Sequence, residues 1–159
     1  MTSDHKQLIK AWLAALLWIG LIAIESTDTF SAEHTSRFLY PLLHFLMNLD
    51  LARFQVWHHY IRKCGHFVGY FSLSFFLFRA WRATLRLPWT SRWALRWAAI
   101  AFFMSALVAS LDEWHQTFIP SRTGAVSDVM LDSIAALTAQ VLIFLYLTWK
   151  PRRMVAAAD

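Results

Sequence analysis

Four stretches of this chain are apolar enough to cross a lipid bilayer, and they constrain the fold more than any other feature. They run from about Leu8 to Ile24, Phe67 to Phe78, Ala94 to Leu111 and Val129 to Trp149. A spanning helix needs about 20 mostly apolar residues, so the first two stretches must recruit flanking residues. With 159 residues, 58% of them hydrophobic, the chain is too apolar for an ordinary soluble domain and too short for two. The sequence therefore predicts one all-α membrane domain, residues 1–159, built as a bundle of four transmembrane helices.

The basic residues predict how the bundle is oriented. They are concentrated in the N-terminal segment, in the loop after the second span and in the C-terminal tail, as Lys6 and Lys10, then Arg79, Arg82, Arg86, Arg92 and Arg96, then Lys150, Arg152 and Arg153. Because cytoplasmic loops carry an excess of Lys and Arg, both termini are expected inside a bacterial plasma or inner membrane. The net charge of +5 is then explained by anionic membrane lipid, and no nucleic-acid partner is expected.

The first outer loop contains one more apolar stretch, residues 38–51. It holds Pro41, His44 and Asn48, and its length of about 14 residues is short for a span. The sequence predicts a short re-entrant or interfacial helix here, lying over the outer mouth of the bundle.

The third span ends in polar residues at the predicted outer surface. Asp112, Glu113, His115 and Gln116 follow directly on apolar residues, although an ionisable group costs roughly 2.5 to 3.5 kcal/mol at the centre of a spanning helix and less near its end. Acids at the C-terminus of a helix also oppose its dipole. Asp112, His115 and Gln116 stand at i, i+3 and i+4, so they are expected to point the same way. Because both placements are unfavourable, a functional role for these four residues is favoured over a simple solvated helix end.

Polar residues at the ends of two other spans are expected on the same surface. Lys63 alone would be an ordinary interfacial anchor and Asp128 an ordinary first-turn residue of a helix. The polar face that begins at Lys63 continues inward to Tyr70, which is typical of a pocket wall. The polar residues of these ends and of the loop between the third and fourth spans are Lys63, His66, Tyr70, Arg122, Asp128 and Asp132.

In order along the chain, these motifs resemble those of the VanZ-like family of small membrane proteins. They read Lys63-x-x-His66-Phe67-x-x-Tyr70, Asp112-Glu113-x-His115-Gln116, Pro120-x-Arg122 and Ser127-Asp128-x-x-x-Asp132. The resemblance covers about residues 60–145. The chain departs from the family at Asp132, where Asn is usual, and at Ala135 and Ala139, where Gly is usual. The resemblance implies a cell-envelope role linked to resistance to teicoplanin, a lipoglycopeptide that acts on cell-wall precursors, and it implies no particular reaction.

In a first hypothesis, the polar cluster binds or acts on an amphiphilic envelope molecule in the outer leaflet. Such a ligand is a lipid-linked cell-wall precursor, a phospholipid or a lipoglycopeptide. The catalytic candidates, as acids, bases and the carboxylates that orient them, are Glu113, His115, His66 and Asp112. The ligand-binding candidates are Lys63, Tyr70, Gln116, Arg122, Asp128 and Asp132. A variant of this hypothesis has a divalent metal bound by His66, His115, Asp112 and Asp128, although their spacing matches no standard metal motif.

In a second hypothesis, the protein is a non-enzymatic scaffold and the cluster is a structural ion-pair network that locks three helices together. Buried charges would then be satisfied by the pairs Lys63 with Asp112 and Arg122 with Asp128. The acids of the cluster outnumber its Lys and Arg, so the excess negative charge would need a cation or a protonated histidine. An open pocket favours the first hypothesis, and a closed network favours the second.

Overall fold

The computed structural model describes residues 3–85 and 93–149, and every regular element in these ranges is helical. The elements are α1 (Ser3–Glu25), a short 3₁₀ turn (Asp28–Phe30), α2 (Ala32–Met47), α3 (Leu51–Thr84), α4 (Leu95–Gln116) and α5 (Val126–Trp149). By length and composition, α1, α4 and α5 could each cross a membrane. The predicted all-α class is confirmed, with three helices of membrane-spanning character.

The predicted second span lies within α3, which is a much longer helix than the sequence indicated. Its 34 residues rise about 51 Å at about 1.5 Å per residue, whereas the hydrocarbon core of a bilayer is about 30 Å thick. Arg62, Lys63 and other charged side chains dilute its apolar character, so α3 is not among the three helices apolar enough to span. The helix also takes in residues that were predicted as outer loop, because the Asp50 side chain caps it by accepting a hydrogen bond from the Arg53 backbone N–H at 2.8 Å.

A second helix stands where the short outer helix was predicted at residues 38–51, but its bounds differ. α2 begins earlier, because the Ser31 hydroxyl caps its first turn by accepting from the His34 backbone N–H at 3.3 Å. It ends before Asn48, which adopts the left-handed conformation with φ of 51°. α2 packs against α3, and its Phe38 and Phe45 rings are largely exposed.

α3 is the central helix, since it packs against α1, α2, α4 and α5. Its contact with α5 is close because Ala135, Ala136 and Ala139 of α5 are small and fully buried there. The Ser74 hydroxyl of α3 donates to the Ala136 carbonyl oxygen at 3.0 Å and accepts from the Gln140 side-chain amide at 2.7 Å. These bonds fix the register of α5 along α3.

α1 runs antiparallel to α3 and is attached to it by two tryptophans. The Trp12 indole donates to the Thr84 hydroxyl at 2.9 Å, and the Trp18 indole donates to the Gly69 carbonyl oxygen at 2.8 Å. Large apolar side chains on the opposite face of α1, such as Leu17, are exposed. Such a face suits contact with lipid.

Candidate functional site

Polar side chains of α3, α4 and α5 meet near the C-terminal end of α4 and the first turns of α5. The Tyr70 hydroxyl donates to Oδ2 of Asp112 at 3.0 Å. Nδ1 of His66 lies 3.4 Å from Oδ2 of Asp132. Tyr70, Asp112 and Asp132 are buried. The structure thus brings together side chains from three separate motifs of the sequence.

An ion pair between Lys63 and Asp128 joins α3 to α5 at the edge of this cluster. Both side chains are partly exposed, at 30% and 22%. The structural-network hypothesis paired Lys63 with Asp112, but that carboxylate is bonded to the Tyr70 hydroxyl instead. α5 is rotated about its axis so that Asp128 faces α3. Asp128 is therefore the carboxylate with which Lys63 pairs.

Arg122 anchors the loop between α4 and α5 onto the end of α1. Its guanidinium donates to the carbonyl oxygens of Glu25 at 2.5 Å and Thr27 at 2.8 Å. The structural-network hypothesis paired Arg122 with Asp128, whose carboxylate is bonded to Lys63. Burial lowers the pKa of Arg122 from its ordinary value, but an arginine side chain stays charged in proteins.

The same loop is held against the end of α4 by Glu113. Oε2 of this buried carboxylate accepts a hydrogen bond from the Ala125 backbone N–H at 2.8 Å. The neighbouring Gly124 is in close contact with α4, since a Cβ there would lie 2.3 Å from the Glu113 carbonyl oxygen and 2.7 Å from Cγ2 of Thr117. Glu113 therefore serves both the loop and the cluster, and only glycine fits beside it.

His115 is a predicted site residue that the structure does not place in the cluster. Its Nδ1 lies 3.1 Å from the Ser26 hydroxyl at the end of α1, and its side chain is exposed. Asp112, Glu113 and Gln116 are buried on another face of α4. An α-helix turns by about 100° per residue, so these three share one sector and His115 projects roughly 100° away from its centre.

A cavity of about 350 Å³ opens beside the cluster, between the first half of α3 and the loop that precedes α5. Half of its lining residues are basic or can become so, and Asp128 is the one acid among the lining residues in the described ranges. Its walls are formed by Ala32, Gln55, His58, His59, Arg62, Lys63, His66, Gln116, Ser121, Arg122, Thr123 and Asp128. This cavity has the charge expected of a site for an anionic group.

Arg62 is a cavity residue that the sequence analysis missed. It lies one helical turn after His58 and one turn before His66, and this i, i+4 spacing was the signal that could have found it. Its Nη1 donates to the Phe30 carbonyl oxygen at 3.0 Å. His58 lies 3.0 Å from the Thr35 hydroxyl, and burial together with the positive charge of Arg62 lowers the His58 pKa. Arg62 is therefore the stronger positive group of this pair near neutral pH.

Several buried polar atoms of the cluster have no hydrogen-bond partner within the described residues. They are Oδ1 of Asp112, Oε1 of Glu113, Nε2 of Gln116 and Oδ1 of Asp132. A buried group left unsatisfied costs about 1–3 kcal/mol. A network that served only to lock helices together would be expected to pair these atoms, so the arrangement favours a ligand site.

The VanZ/LLP1 family model matches residues 11–148, a range that includes the whole cluster, the basic cavity and most of α1. The chain belongs to the VanZ/LLP1 family. The resemblance seen in the sequence motifs is thereby confirmed, and the match extends well beyond residues 60–145. No curated protein and no solved structure matches this VanZ/LLP1 protein.

Proposed function

We propose that this VanZ/LLP1 protein is a multi-pass membrane protein that binds, or acts on, the anionic head of an amphiphilic envelope molecule at the extracytoplasmic surface. The observation that supports this most directly is the basic cavity of about 350 Å³ beside a buried polar cluster. The candidate ligands are lipid-linked cell-wall precursors, phospholipids and lipoglycopeptides. A role in teicoplanin-type resistance is proposed from family membership.

The bonding of the two arginines supports an anionic ligand. Arg62 is bonded to the Phe30 carbonyl oxygen, and Arg122 is bonded to carbonyl oxygens at the end of α1. Within the described residues neither is paired with a carboxylate, whereas Lys63 is paired with Asp128. Carbonyl contacts orient a guanidinium without neutralising its charge. Two arginines held in this way offer a phosphate or carboxylate the paired N–H groups that such anions prefer.

The proposed topology has four spans, with both termini in the cytoplasm. α1, α4 and α5 supply three spans, and the part of α3 around Phe67 to Phe78 supplies the fourth. The described basic residues that support this orientation lie at the helix ends remote from the cluster and are Lys6, Lys10, Arg79, Arg82 and Arg96. The others, Arg86, Arg92, Lys150, Arg152 and Arg153, lie outside the described residues. The cluster and its cavity would then face the extracytoplasmic side.

Reporter fusions test this topology. Fusions after Leu87 and after Lys150 are expected to read cytoplasmic, and fusions near Asp50 and Thr123 are expected to read extracytoplasmic, because basic loops stay inside. An alkaline phosphatase and a fluorescent protein fused at each position give opposite signals and control for expression. An extracytoplasmic signal after Leu87 would reverse the orientation and place the cavity on the wrong side for an outer-leaflet ligand.

Substitution of Arg62 tests the ligand class. Arg62→Gln is expected to weaken binding of a polyprenyl phosphate about 10- to 100-fold, because a hydrogen bond to a charged group contributes about 1.5–3 kcal/mol. The measurement is a titration of the detergent-solubilised full chain followed by native mass spectrometry or tryptophan fluorescence. The uncharged polyprenol serves as the comparison ligand, since it keeps the tail and lacks the anion.

Arg53→Gln is the matched control for this experiment. Arg53 lies on the same helix, is exposed, and forms an ion pair with Asp50 at 3.6 Å at the start of α3. Its substitution removes the same charge without touching the cavity, so binding should be unchanged. Equal affinity for polyprenol and polyprenyl phosphate, or no effect of Arg62→Gln, would contradict the anionic ligand and leave the scaffold hypothesis as the better account.

A further inference from the structure

We infer that His66, Glu113 and Asp132 form a binding site for one divalent transition-metal ion behind the wall of the basic cavity. This inference deepens the proposed function, on whose cavity it rests. The three side chains come from α3, α4 and α5, and each offers one donor atom within 4.8 Å of the other two. His66 also lines the cavity, so the three-residue group lies immediately beside it.

The burial of the two carboxylates supports a cation at this place. Glu113 is 4% exposed and Asp132 is fully buried. Each has one oxygen, Oε1 and Oδ1 respectively, without a hydrogen-bond partner in the described part of the chain. Buried charges in proteins are ordinarily paired or coordinate metals. A bound cation would satisfy both oxygens at once.

The charges around this group also favour a cation. Asp112 is a third buried carboxylate, and its Oδ1 is likewise unpartnered among the described residues. Lys63 is the lysine nearest to His66 in the sequence, and its ammonium group is already paired with Asp128. His66 binds a metal only as the neutral imidazole, so it would not offset the charge of the three buried carboxylates. A divalent ion would offset two of those three negative charges.

The donor set indicates which metal would bind. Imidazole nitrogen together with carboxylate oxygen suits Zn²⁺ and Mn²⁺ better than Ca²⁺ or Mg²⁺, which prefer oxygen ligands alone. In a tetrahedral site with bonds of about 2.0–2.2 Å, the ligand atoms lie about 3.3–3.6 Å apart. The three donor atoms lie within 4.8 Å of one another, so two atoms at that limit would have to approach by about 1.2–1.5 Å when the metal binds. Three protein ligands also leave a coordination position for an anionic oxygen from the cavity.

The sequence suggested a different set of metal ligands, namely His66, His115, Asp112 and Asp128. His115 lies beside Ser26 at the end of α1, and Asp128 is occupied by Lys63. Only His66 is common to both sets. The site depends on how three helices rotate against each other, which the spacing of residues along the chain does not determine.

The test is stoichiometric metal uptake by the full chain. The protein is purified in detergent through a tag without histidines, stripped with a chelator and dialysed against Zn²⁺ or Mn²⁺, and the bound metal is measured by mass spectrometry. One ion per chain is expected for at least one of the two metals. His66→Gln and Asp132→Asn should each weaken uptake at least about tenfold, because loss of even an outer-shell partner costs 10- to 100-fold. Glu33→Gln is the control, since Glu33 is exposed on α2 and paired with Arg37.

Thermal unfolding separates metal loss from misfolding. Metal should raise the melting temperature of the wild-type protein and of Glu33→Gln, and it should not raise that of the two ligand variants, whose metal-free melting should match that of the wild type. Absence of stoichiometric uptake, or equal uptake by the ligand variants, would overturn the metal site. Binding of polyprenyl phosphate is measured in a separate titration in the presence of chelator. If that binding survives while metal uptake fails, only the metal inference falls; if uptake is confirmed and lipid binding fails, the proposed ligand class falls instead.

Discussion

Glu113→Gln is expected to abolish any contribution of the protein to survival on teicoplanin while leaving its amount in the membrane unchanged. The amide oxygen of glutamine can still accept the hydrogen bond that Ala125 N–H donates to Oε2, so the loop keeps its anchor. The substitution removes the negative charge of a buried carboxylate, which would be needed either as a general acid or base or as a metal ligand. Loss of a general acid or base alone costs about 10²- to 10⁴-fold in rate. The measurements are growth on teicoplanin, membrane level by immunoblot and melting in detergent.

The scaffold hypothesis makes the opposite prediction for the same variant. Removal of one member of a buried structural charge pair costs about 3–5 kcal/mol, so abundance and activity would fall together.

Substitutions of His66 and His115 extend this comparison between the two hypotheses. His66→Gln should behave as Glu113→Gln does, whereas His115→Ala should remain active, because His115 lies beside Ser26 and away from the cluster. Full activity of both Glu113→Gln and His66→Gln would exclude the cluster as the working centre.

Gly124→Ala is expected to destabilise the protein strongly. The added Cβ would lie 2.3 Å from the Glu113 carbonyl oxygen, so the loop must move away from α4 and the bond between Ala125 N–H and the Glu113 carboxylate must lengthen. Overpacking costs about 1–3 kcal/mol, and loss of a hydrogen bond to a charged group adds about 1.5–3 kcal/mol. The expected result is a clear fall in melting temperature in detergent.

Gly65→Ala is the matched control for this substitution. A Cβ at Gly65 would meet no atom within 4 Å, and alanine favours a helix over glycine by about 0.5–1 kcal/mol. The control should therefore melt at the wild-type temperature or slightly above it. If Gly124→Ala melted like Gly65→Ala, the close contact between the loop and α4 would not exist in solution.

Hydropathy predicted α1, α4 and α5 well, because an apolar run is a local property of the chain. The stretch from Val129 to Trp149, for example, lies entirely within α5. Hydropathy gave too short a helix for α3, because its first half is mostly exposed and Arg53, Arg62 and Lys63 interrupt the apolar residues there. The cap at Asp50 was the local sign that a helix begins there, and it is the kind of signal that an apolar window overlooks.

The members of the polar cluster were predicted better than their partners. The motifs put Lys63, Asp112 and Asp128 at helix ends. The three residues do lie in the same region, but Lys63 lies inside α3 and not at its end. Which carboxylate each cation reaches depends on the rotation of every helix about its axis, to which residue spacing gives only a coarse guide. His115 shows the limit of that guide. Two residues at i and i+3 of a helix point about 60° apart, so Asp112 and His115 need not face the same side.

The central position of α3 has a consequence for how the protein is made. On the proposed topology, the helix that holds the bundle together is also the one least able to enter lipid by itself. Its polar groups, such as Ser74, find their partners on α5, which leaves the ribosome much later. On this topology α3 would remain at the translocon until α5 has been synthesised. Insertion of α3 into the membrane would then be coupled to its packing against α5.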